Sequence, residues 1–339
     1  NKGQFMVHIM AIKKLLSLGQ KLPINVKFII EGEEEIGSIS VENLAEKYSR
    51  DLLTCDYILV SDSEMIRKGQ PSIDISLRGL VYAELFLQSA ASDLHSGQFG
   101  GVAENPANIL AQIISQLKDT QNKILVPNFY DTVVNPTAQE LEDYKLLGTT
   151  DKTIISEGSL YEVGGGEENF SINERRWSRP TLDVNGITAG YQGEGSKTII
   201  PAKASAKISM RLVPNQDPKQ IFNSFAKYVK RLIPKSVKLK IVNHADALPY
   251  KAPTDDPVFD LMKSSLKKAF GSMPVFTGVG GSIGFVPIMA KALMVPCIMV
   301  GFGLPTDNLH APNEHFLLEN YFKGIDAMAD FYMNLGKKL

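Results

Sequence analysis

KASAKISMRLV, residues 203–213, alternates polar and apolar side chains from end to end. A period of two predicts a β-strand that buries one face and leaves the other in water. The residues on the apolar face are Ala204, Ala206, Ile208, Met210 and Leu212. This strand is the clearest element of the chain.

The elements around this strand predict an inserted α+β domain. Asn105-Pro106 and Asp217-Pro218 each place a capping side chain before a proline, which is typical of a helix start. Alternation predicts half-buried strands at 72–77, 80–88, 181–191 and 237–241. From residue 80 the order is strand–helix–strand–strand–helix–strand, as in a ferredoxin-like fold. We therefore predict a ferredoxin-like domain over residues 76–246, with helices on one face of its sheet.

An α/β pattern surrounds the insertion. Apolar runs predict buried strands at Val26–Ile30, Tyr57–Val60 and Leu293–Val300. Helical periodicity covers 4–18, 40–49, 256–270, 282–291 and 316–336, the last with Phe322, Ile325, Ala329 and Tyr332 inward. Residues 119–180 are only weakly patterned. The alternation predicts an α/β fold with a mixed, mostly parallel sheet, formed by residues 1–75 and 247–339.

Composition excludes several classes of function. The 339 residues carry 36 basic and 37 acidic side chains, a net charge of −1, which argues against a nucleic-acid binder. Two cysteines cannot build a disulfide framework and fit a reducing compartment, so we expect a cytoplasmic protein. The apolar stretch 273–304 contains Lys291, Pro287 and Pro296, which favours a strand–helix–strand unit over a membrane span.

Acidic residues follow two of the predicted strands. Glu31–Ser38 reads EGEEEIGS, and Ser61-Asp62-Ser63 comes directly after Val60. Open α/β sheets bind ligands at the carboxyl ends of their strands. Adjacent carboxylates repel one another, so the run is either a solvated loop or a metal site with a ligand and a neighbouring general base.

Several other residues are candidates for a site. His95 lies in a turn rich in small residues, and His310 lies in a polar loop after a predicted strand, whereas His8 is interpreted as a packed helix residue. Arg211 is either a surface arginine or a carboxylate ligand. The run Gly278–Gly284 is similar to a dinucleotide loop, but residues 285–306 contain no acid for a ribose, which argues against a nicotinamide oxidoreductase. Its glycines favour close approach of a substrate to the backbone.

Taken in order, these motifs resemble the zinc metallopeptidase family of cytosolic nonspecific dipeptidase, carnosinase, carboxypeptidase G and the acetylornithine deacetylase and succinyl-diaminopimelate desuccinylase group. The matching segments are Asn1–Gly3, Glu31–Ser38, Ser61–Ser63, His95–Gly97 with Gly100-Gly101, and the His310 loop. Residues 197–201 and 211–214 resemble the dipeptidase branch. The resemblance implies a dinuclear-zinc catalytic domain and a lid domain, here residues 76–246, that usually forms a homodimer.

The resemblance also implies residue roles. Glu34 would be the general base, Glu35 and His310 would bind one metal ion, and Asp62 would bind the other, with zinc favoured over manganese or cobalt. His95 would stabilise the oxyanion, in relatives in the active site of the partner subunit. The implied substrate-binding residues are Arg211, Thr198, the Gly280–Ser282 turn including Gly281 and Ser282, and His244, whose spacing is off by about one residue.

The chain departs from the family pattern at two places. Relatives carry an upstream His-x-Asp zinc ligand and an aspartate that bridges both metals just before the equivalent of Asn1, and neither is present here. Many relatives also carry a glutamate where this chain has Val279. We therefore expect that the N-terminal part of the enzyme is missing and that residues 1–339 alone are inactive.

Two functions of different classes follow from this interpretation. The first is metal-dependent hydrolysis of the amide bond of dipeptides or N-acyl amino acids, as in a dipeptidase, carboxypeptidase or deacetylase. The second is an inactive paralogue or fragment that acts as a dimeric binding module. Neither predicts a nucleic-acid or membrane partner.

Overall fold

The computed structural model describes residues 1–338, and these form two large sheets and one two-stranded sheet, Leu94–His95 with Ile199–Ile200, surrounded by helices. The helices are α1 (Lys2–Ser17), α2 (Val41–Tyr48), α3 (Ser96–Phe99), α4 (Pro106–Ser115), α5 (Ala138–Leu146), α6 (Asp151–Gly158), α7 (Ile172–Trp177), α8 (Pro218–Leu232), α9 (Pro257–Phe270), α10 (Phe285–Leu293) and α11 (Leu318–Lys338). The strands are β1 (Ile58–Val60), β2 (Ser72–Leu77), β3 (Gly79–Gln88), β4 (Leu94–His95), β5 (Thr181–Ala189), β6 (Ile199–Ile200), β7 (Lys203–Leu212), β8 (Lys238–Ala247), β9 (Tyr250–Lys251), β10 (Val275–Val279) and β11 (Cys297–Val300).

The first sheet has the strand order β1-β11-β2-β10, with β9 paired to β2. The pairs β1–β11 and β2–β10 are parallel, whereas β11 and β9 run antiparallel to β2. Ile298 and Val300 pack towards α1, α9 and α11, while Cys297 and Met299 pack towards α10. The sheet is therefore covered on both faces, and the predicted mixed α/β architecture is confirmed.

The second sheet has the order β5-β7-β3-β8 and is antiparallel throughout. This is the strand arrangement of a ferredoxin-like fold, as the sequence predicts. The alternating side chains of β7 from Ala204 to Leu212 are buried beneath α4 and α8, where Phe225 is fully enclosed. The opposite face of β7 remains half-buried or exposed, so the period of two was interpreted correctly.

The helix starts read from the sequence are also confirmed. Asn105 accepts a hydrogen bond from the Ala107 amide, and Asp217 accepts one from the Gln220 amide. A proline follows each cap and supplies no amide that would need a partner. These local rules succeed because capping and proline stereochemistry involve residues within one helical turn.

Two strand predictions were wrong. Residues 26–30 form no strand, and Phe28 and Ile30 are 46% and 71% exposed. An apolar run becomes a strand only with a ladder partner, and β1 pairs with β11 alone among the described strands. Residues 72–77 were expected to be half-buried, but β2 is buried along its whole length because it lies inside the sheet.

Three short helices were missed in the weakly patterned region 119–180. The helices α5, α6 and α7 begin with capping boxes at Thr137, Thr150 and Ser171. Helices of six to nine residues offer little room for an apolar stripe, so their caps were the available signal. In α11, Phe322 was expected inward but is 61% exposed.

A helix that crosses a membrane must be both long and apolar. Within the described chain, no helix combines sufficient length with sufficient apolar character. The apolar stretch at 273–304 instead forms β10, α10 and β11, as predicted.

The close packing of Gly301 against Ser63 yields a stability prediction. A methyl group at Gly301 would lie 1.8 Å from the Ser63 carbonyl oxygen, a backbone atom that cannot move freely. We expect Gly301→Ala to lower the free energy of unfolding by about 3 kcal/mol, the upper end for overpacking. Gly303→Ala is the matched control, because its nearest new contact is at 3.6 Å. Equal stability of the two variants in urea unfolding would contradict this account.

Candidate active site

Residues 31–38, hereafter the glutamate turn, present two free carboxylates. Glu34–Ile36 form one 3₁₀ turn, which Gly37 ends in the left-handed region at φ +93°. Glu31 accepts a hydrogen bond from the Ser38 hydroxyl at 2.9 Å, and Glu33 accepts one from the Ser40 amide at 3.1 Å. Within the described residues, Glu34 and Glu35 accept none. The turn thus separates two structural glutamates from two that are available for chemistry.

Asp62 lies at the carboxyl end of β1, beside this turn. The Asn1 side chain donates to the Asp62 carboxylate at 2.7 Å and to the Ser61 carbonyl at 2.6 Å. Burial raises the pKa of Asp62, the amino terminus opposes this, and the carboxylates of Glu35 and Glu31 raise the pKa further. Asp62 therefore lies within electrostatic range of the glutamate turn, although the strand predicted to precede that turn does not form.

His310 completes an acidic cluster, which we define as Glu34, Glu35, Asp62 and His310. Its loop follows β11, and its Nδ1 atom lies 3.7 Å from the Glu35 Oε1 atom. The pKa of Glu34 is raised by burial first, then by Asp62, Glu35 and Glu31, and is lowered by His310. Charged groups from three separate segments thus act on the Glu34 carboxyl group.

The donor chemistry of the acidic cluster fits a divalent cation. Carboxylate oxygen and imidazole nitrogen are ligands for zinc, and an excess of mutually repelling carboxylates is relieved by a positive ion. Residues 1–338 contain no group of three or more His, Cys, Asp or Glu side chains arranged to hold an ion. Glu35 and His310, whose side chains lie 3.7 Å apart, could together hold an ion.

His8 forms a hydrogen bond to the segment that follows β1. Its Nε2 atom shares a hydrogen bond of 2.7 Å with the Ser61 hydroxyl, and its Nδ1 atom shares one of 2.7 Å with the Tyr332 hydroxyl. Burial lowers the pKa of His8 to about 4, so the imidazole is neutral at pH 7. The interpretation of His8 as a packed residue holds, with the addition that it links α1 and α11 to the segment carrying Asp62.

The Gly280–Gly284 loop joins the glutamate turn to two arginines. Arg78 donates from Nε to the Gly280 carbonyl at 3.0 Å, and the Ser282 hydroxyl donates to the Arg78 carbonyl at 2.5 Å. Arg211 Nη1 lies 3.5 Å from the Ser282 hydroxyl oxygen. At the other end of the loop, a Cβ on Gly284 would lie 3.5 Å from the Gly37 carbonyl oxygen.

The predicted residues Arg211, Gly281 and Ser282 are therefore brought together, whereas Arg78 was missed by the sequence analysis. The available signal was its position, since it is a charged residue directly after the buried strand β2. Charged side chains at the carboxyl ends of strands often face ligands.

His95 and Thr198 form a separate pair in the lid domain. In the β4–β6 ladder His95 lies opposite Ile199, and the Ser96 amide donates to the Thr198 carbonyl at 3.1 Å. The His95 Nδ1 atom accepts from the Gly97 amide at 3.0 Å. No hydrogen bond or ion pair among the described residues joins this pair to the acidic cluster, so its role at an active site stays a prediction.

His244 lies in another part of the lid domain. Its Nε2 atom is 2.7 Å from the Glu84 Oε2 atom across the β3–β8 ladder. This contact occupies one ring nitrogen, and the substrate-binding role implied by the resemblance stays a prediction.

Comparison with characterised proteins places this architecture in a family. Residues 75–237 match the peptidase dimerisation domain. The chain is 30% identical to human Beta-Ala-His dipeptidase over 99% of its length and 67% of the relative. It is 33% identical to a solved M20 family metallo-carboxypeptidase from Sulfolobus solfataricus, with a TM-score of 0.87 over 100% of this chain and 76% of that one. The chain belongs to the M20 peptidase family.

A third M20 relative is the Cys-Gly metallodipeptidase of Candida albicans, which is 29% identical over 99% of this chain and 70% of its own length. The resemblance drawn from the ordered motifs is thereby confirmed. The relatives include two dipeptidases and a carboxypeptidase, so the family assignment points to peptide hydrolysis without selecting one cleavage position.

The buried histidine of this M20 chain predicts a pH dependence of stability. Because the pKa of His8 falls from 6.5 to about 4 on folding, the unfolded state binds a proton at higher pH than the folded state. The contribution of His8 to the free energy of unfolding is therefore fully present above pH 6.5. It decreases as the pH falls towards 4, and the total loss is about 3 kcal/mol.

Urea unfolding of the wild type and His8→Gln tests this dependence. We expect the wild type to be more stable at pH 7 and the difference to shrink towards pH 4, since glutamine does not titrate. His315→Gln is the control, because His315 is 57% exposed. A difference that stays constant between pH 7 and pH 4 would contradict the shift.

Proposed function

We propose that this chain carries most of the active site of a metal-dependent hydrolase of dipeptides or N-acyl amino acids. The observation that carries the proposal is the acidic cluster, in which Glu34 and Glu35 keep free carboxylates beside Asp62 and His310. The M20 relatives that act on dipeptides support the same reaction class.

Each member of the acidic cluster has a proposed role. Glu35 and His310 would hold one divalent ion, zinc in the first instance, and Asp62 would hold a second. Bound dications would supply Lewis-acid polarisation of the scissile carbonyl and would acidify water. Glu34 would accept the proton of the attacking water and pass it to the leaving amine, because its oxygens are not engaged elsewhere in the described chain.

The other predicted residues would hold the substrate. Arg211, beside Ser282 and Gly281, would bind a substrate carboxylate with two parallel hydrogen bonds. His95 and Thr198 lie in a different part of the chain, which suits a homodimer whose lid domain presents them to the active site of the partner subunit. The match of residues 75–237 to a dimerisation domain supports this arrangement. Cys55 and Cys297 are free thiols, which suits the proposed cytoplasmic location.

A second candidate is a dimeric binding module without catalysis. It is favoured by one observation, the lack of a group of three ligands within residues 1–338. Under this alternative the acidic cluster and the arginines would bind a small peptide without cleaving it.

Substitution of the proposed base separates the two candidates. In the intact gene product, Glu34→Gln should keep bound metal and lose about 10²–10⁴ in turnover, the usual contribution of a general base. Glu33→Gln is the matched control, because the Glu33 carboxylate accepts from the Ser40 amide. Steady-state hydrolysis of a dipeptide panel measures the effect. Normal turnover by Glu34→Gln would rule out Glu34 as the base.

Metal binding by residues 1–339 alone provides a further prediction. With Glu35 and His310 for one ion and Asp62 for the other, this polypeptide has fewer than the three protein ligands of a typical catalytic zinc site. We expect weak zinc binding, further weakened by His310→Ala, and no hydrolysis. Equilibrium dialysis with metal analysis checks this, and two tightly held zinc ions per chain would overturn it.

A further inference from the structure

Arg78 is a second guanidinium group at the turn that already holds Arg211; we refer to Arg78 and Arg211 as the arginine pair. Within the described chain the only side-chain hydrogen bond of Arg78 runs from Nε to the Gly280 carbonyl. Its Nη1 atom is enclosed and has no hydrogen-bond partner. Neither member of the pair has an ion-pair partner among the described residues. Guanidinium groups shielded from water need acceptors, so this arrangement favours an anionic ligand.

The charges around the arginine pair leave it strongly positive. Burial lowers the pKa of Arg78 to about 10, and Arg211 and Arg176 lower it while Asp183 raises it. Asp183 is exposed and forms no ion pair with Arg78 in the described structure. Val279, which precedes the turn, is uncharged. Protein carboxylates therefore do not neutralise the pair.

The arginine pair is joined to the glutamate turn by one short loop. The short Gly280–Gly284 loop contacts both arginines at its start and Gly37 of the glutamate turn at its end. One short loop therefore connects the arginine pair to the glutamate turn. Arg78 is only partly buried, and a ligand approaches it at Nη2, since Nη1 is enclosed.

We propose that Arg78 and Arg211 together form a subsite for two carboxylates, which makes peptides ending in aspartate or glutamate the preferred substrates. The α-carboxylate pairs with the Arg211 guanidinium, and the side-chain carboxylate accepts a charge-assisted hydrogen bond from the Arg78 Nη2 atom, because Nε already donates to the Gly280 carbonyl and Nη1 is enclosed. This inference rests on the proposed function, because it treats the ligand as the carboxyl-terminal residue of a substrate.

Binding of free amino acids tests the subsite without requiring catalysis. Titration calorimetry on the intact gene product would compare L-glutamate with L-glutamine, which have nearly the same shape and differ in one charge. We expect glutamate to bind about tenfold more tightly, as a charge-assisted hydrogen bond allows. Arg78→Gln should abolish this preference, and Arg78→Lys should retain part of it. Arg231→Gln is the matched control, since it removes the same charge from an exposed position in the last turn of α8.

Two outcomes would overturn the subsite. Equal affinity of the wild type for glutamate and glutamine would do so without any variant, so failure of Arg78→Gln to fold leaves the proposal testable. Equal weakening of both ligands by Arg78→Gln would show that Arg78 only supports the turn.

Preference for glutamate without hydrolysis of any peptide would reject the proposed function alone, whereas hydrolysis without that preference would reject the subsite alone.

Discussion

One continuous segment, residues 72–88, runs through the centre of both sheets, and the rest of the structure is arranged around it. β2 lies between β11 and β10, and β3 lies between β7 and β8. Only Arg78 separates the two strands. Each half of the segment is paired on both sides, and the chain passes from one sheet to the other at this residue. The proposed substrate-binding arginine therefore stands at the junction of the two folding units.

Two opposite electrostatic environments meet across the Gly280–Gly284 loop. On one side, burial and neighbouring carboxylates raise the pKa of Glu34 and of Asp62, an environment that favours a cation. On the other, Arg78 and Arg211 attract carboxylates. A peptide whose scissile carbonyl faces a metal ion and whose terminal carboxylate faces arginine would complement both.

Much of the fold could be predicted from local patterns, and the errors share one cause. The period of two in β7 and the caps at Asn105 and Asp217 depend on neighbouring residues, and they were interpreted correctly. Val26–Ile30 has the composition of a strand but lacks a ladder partner in the described structure, and Phe322 has helical spacing but faces outward. Whether a segment finds a partner strand, and whether a helix side chain points into the core, depends on residues far away in the chain. Local periodicity contains no information about those residues.

The sequence by itself determined the family, the order of the motifs and the types of chemical group available, because those depend on residue identity and spacing. The tertiary structure decided which of these groups are free. Glu33 is engaged by the Ser40 amide, while Glu34 and Glu35 keep open oxygens. Arg78 meets Arg211 at Ser282 only because β2, β7 and the Gly280–Gly284 loop converge. The proximity of these two arginines depends on strand register and loop conformation, which are set only when the whole chain packs.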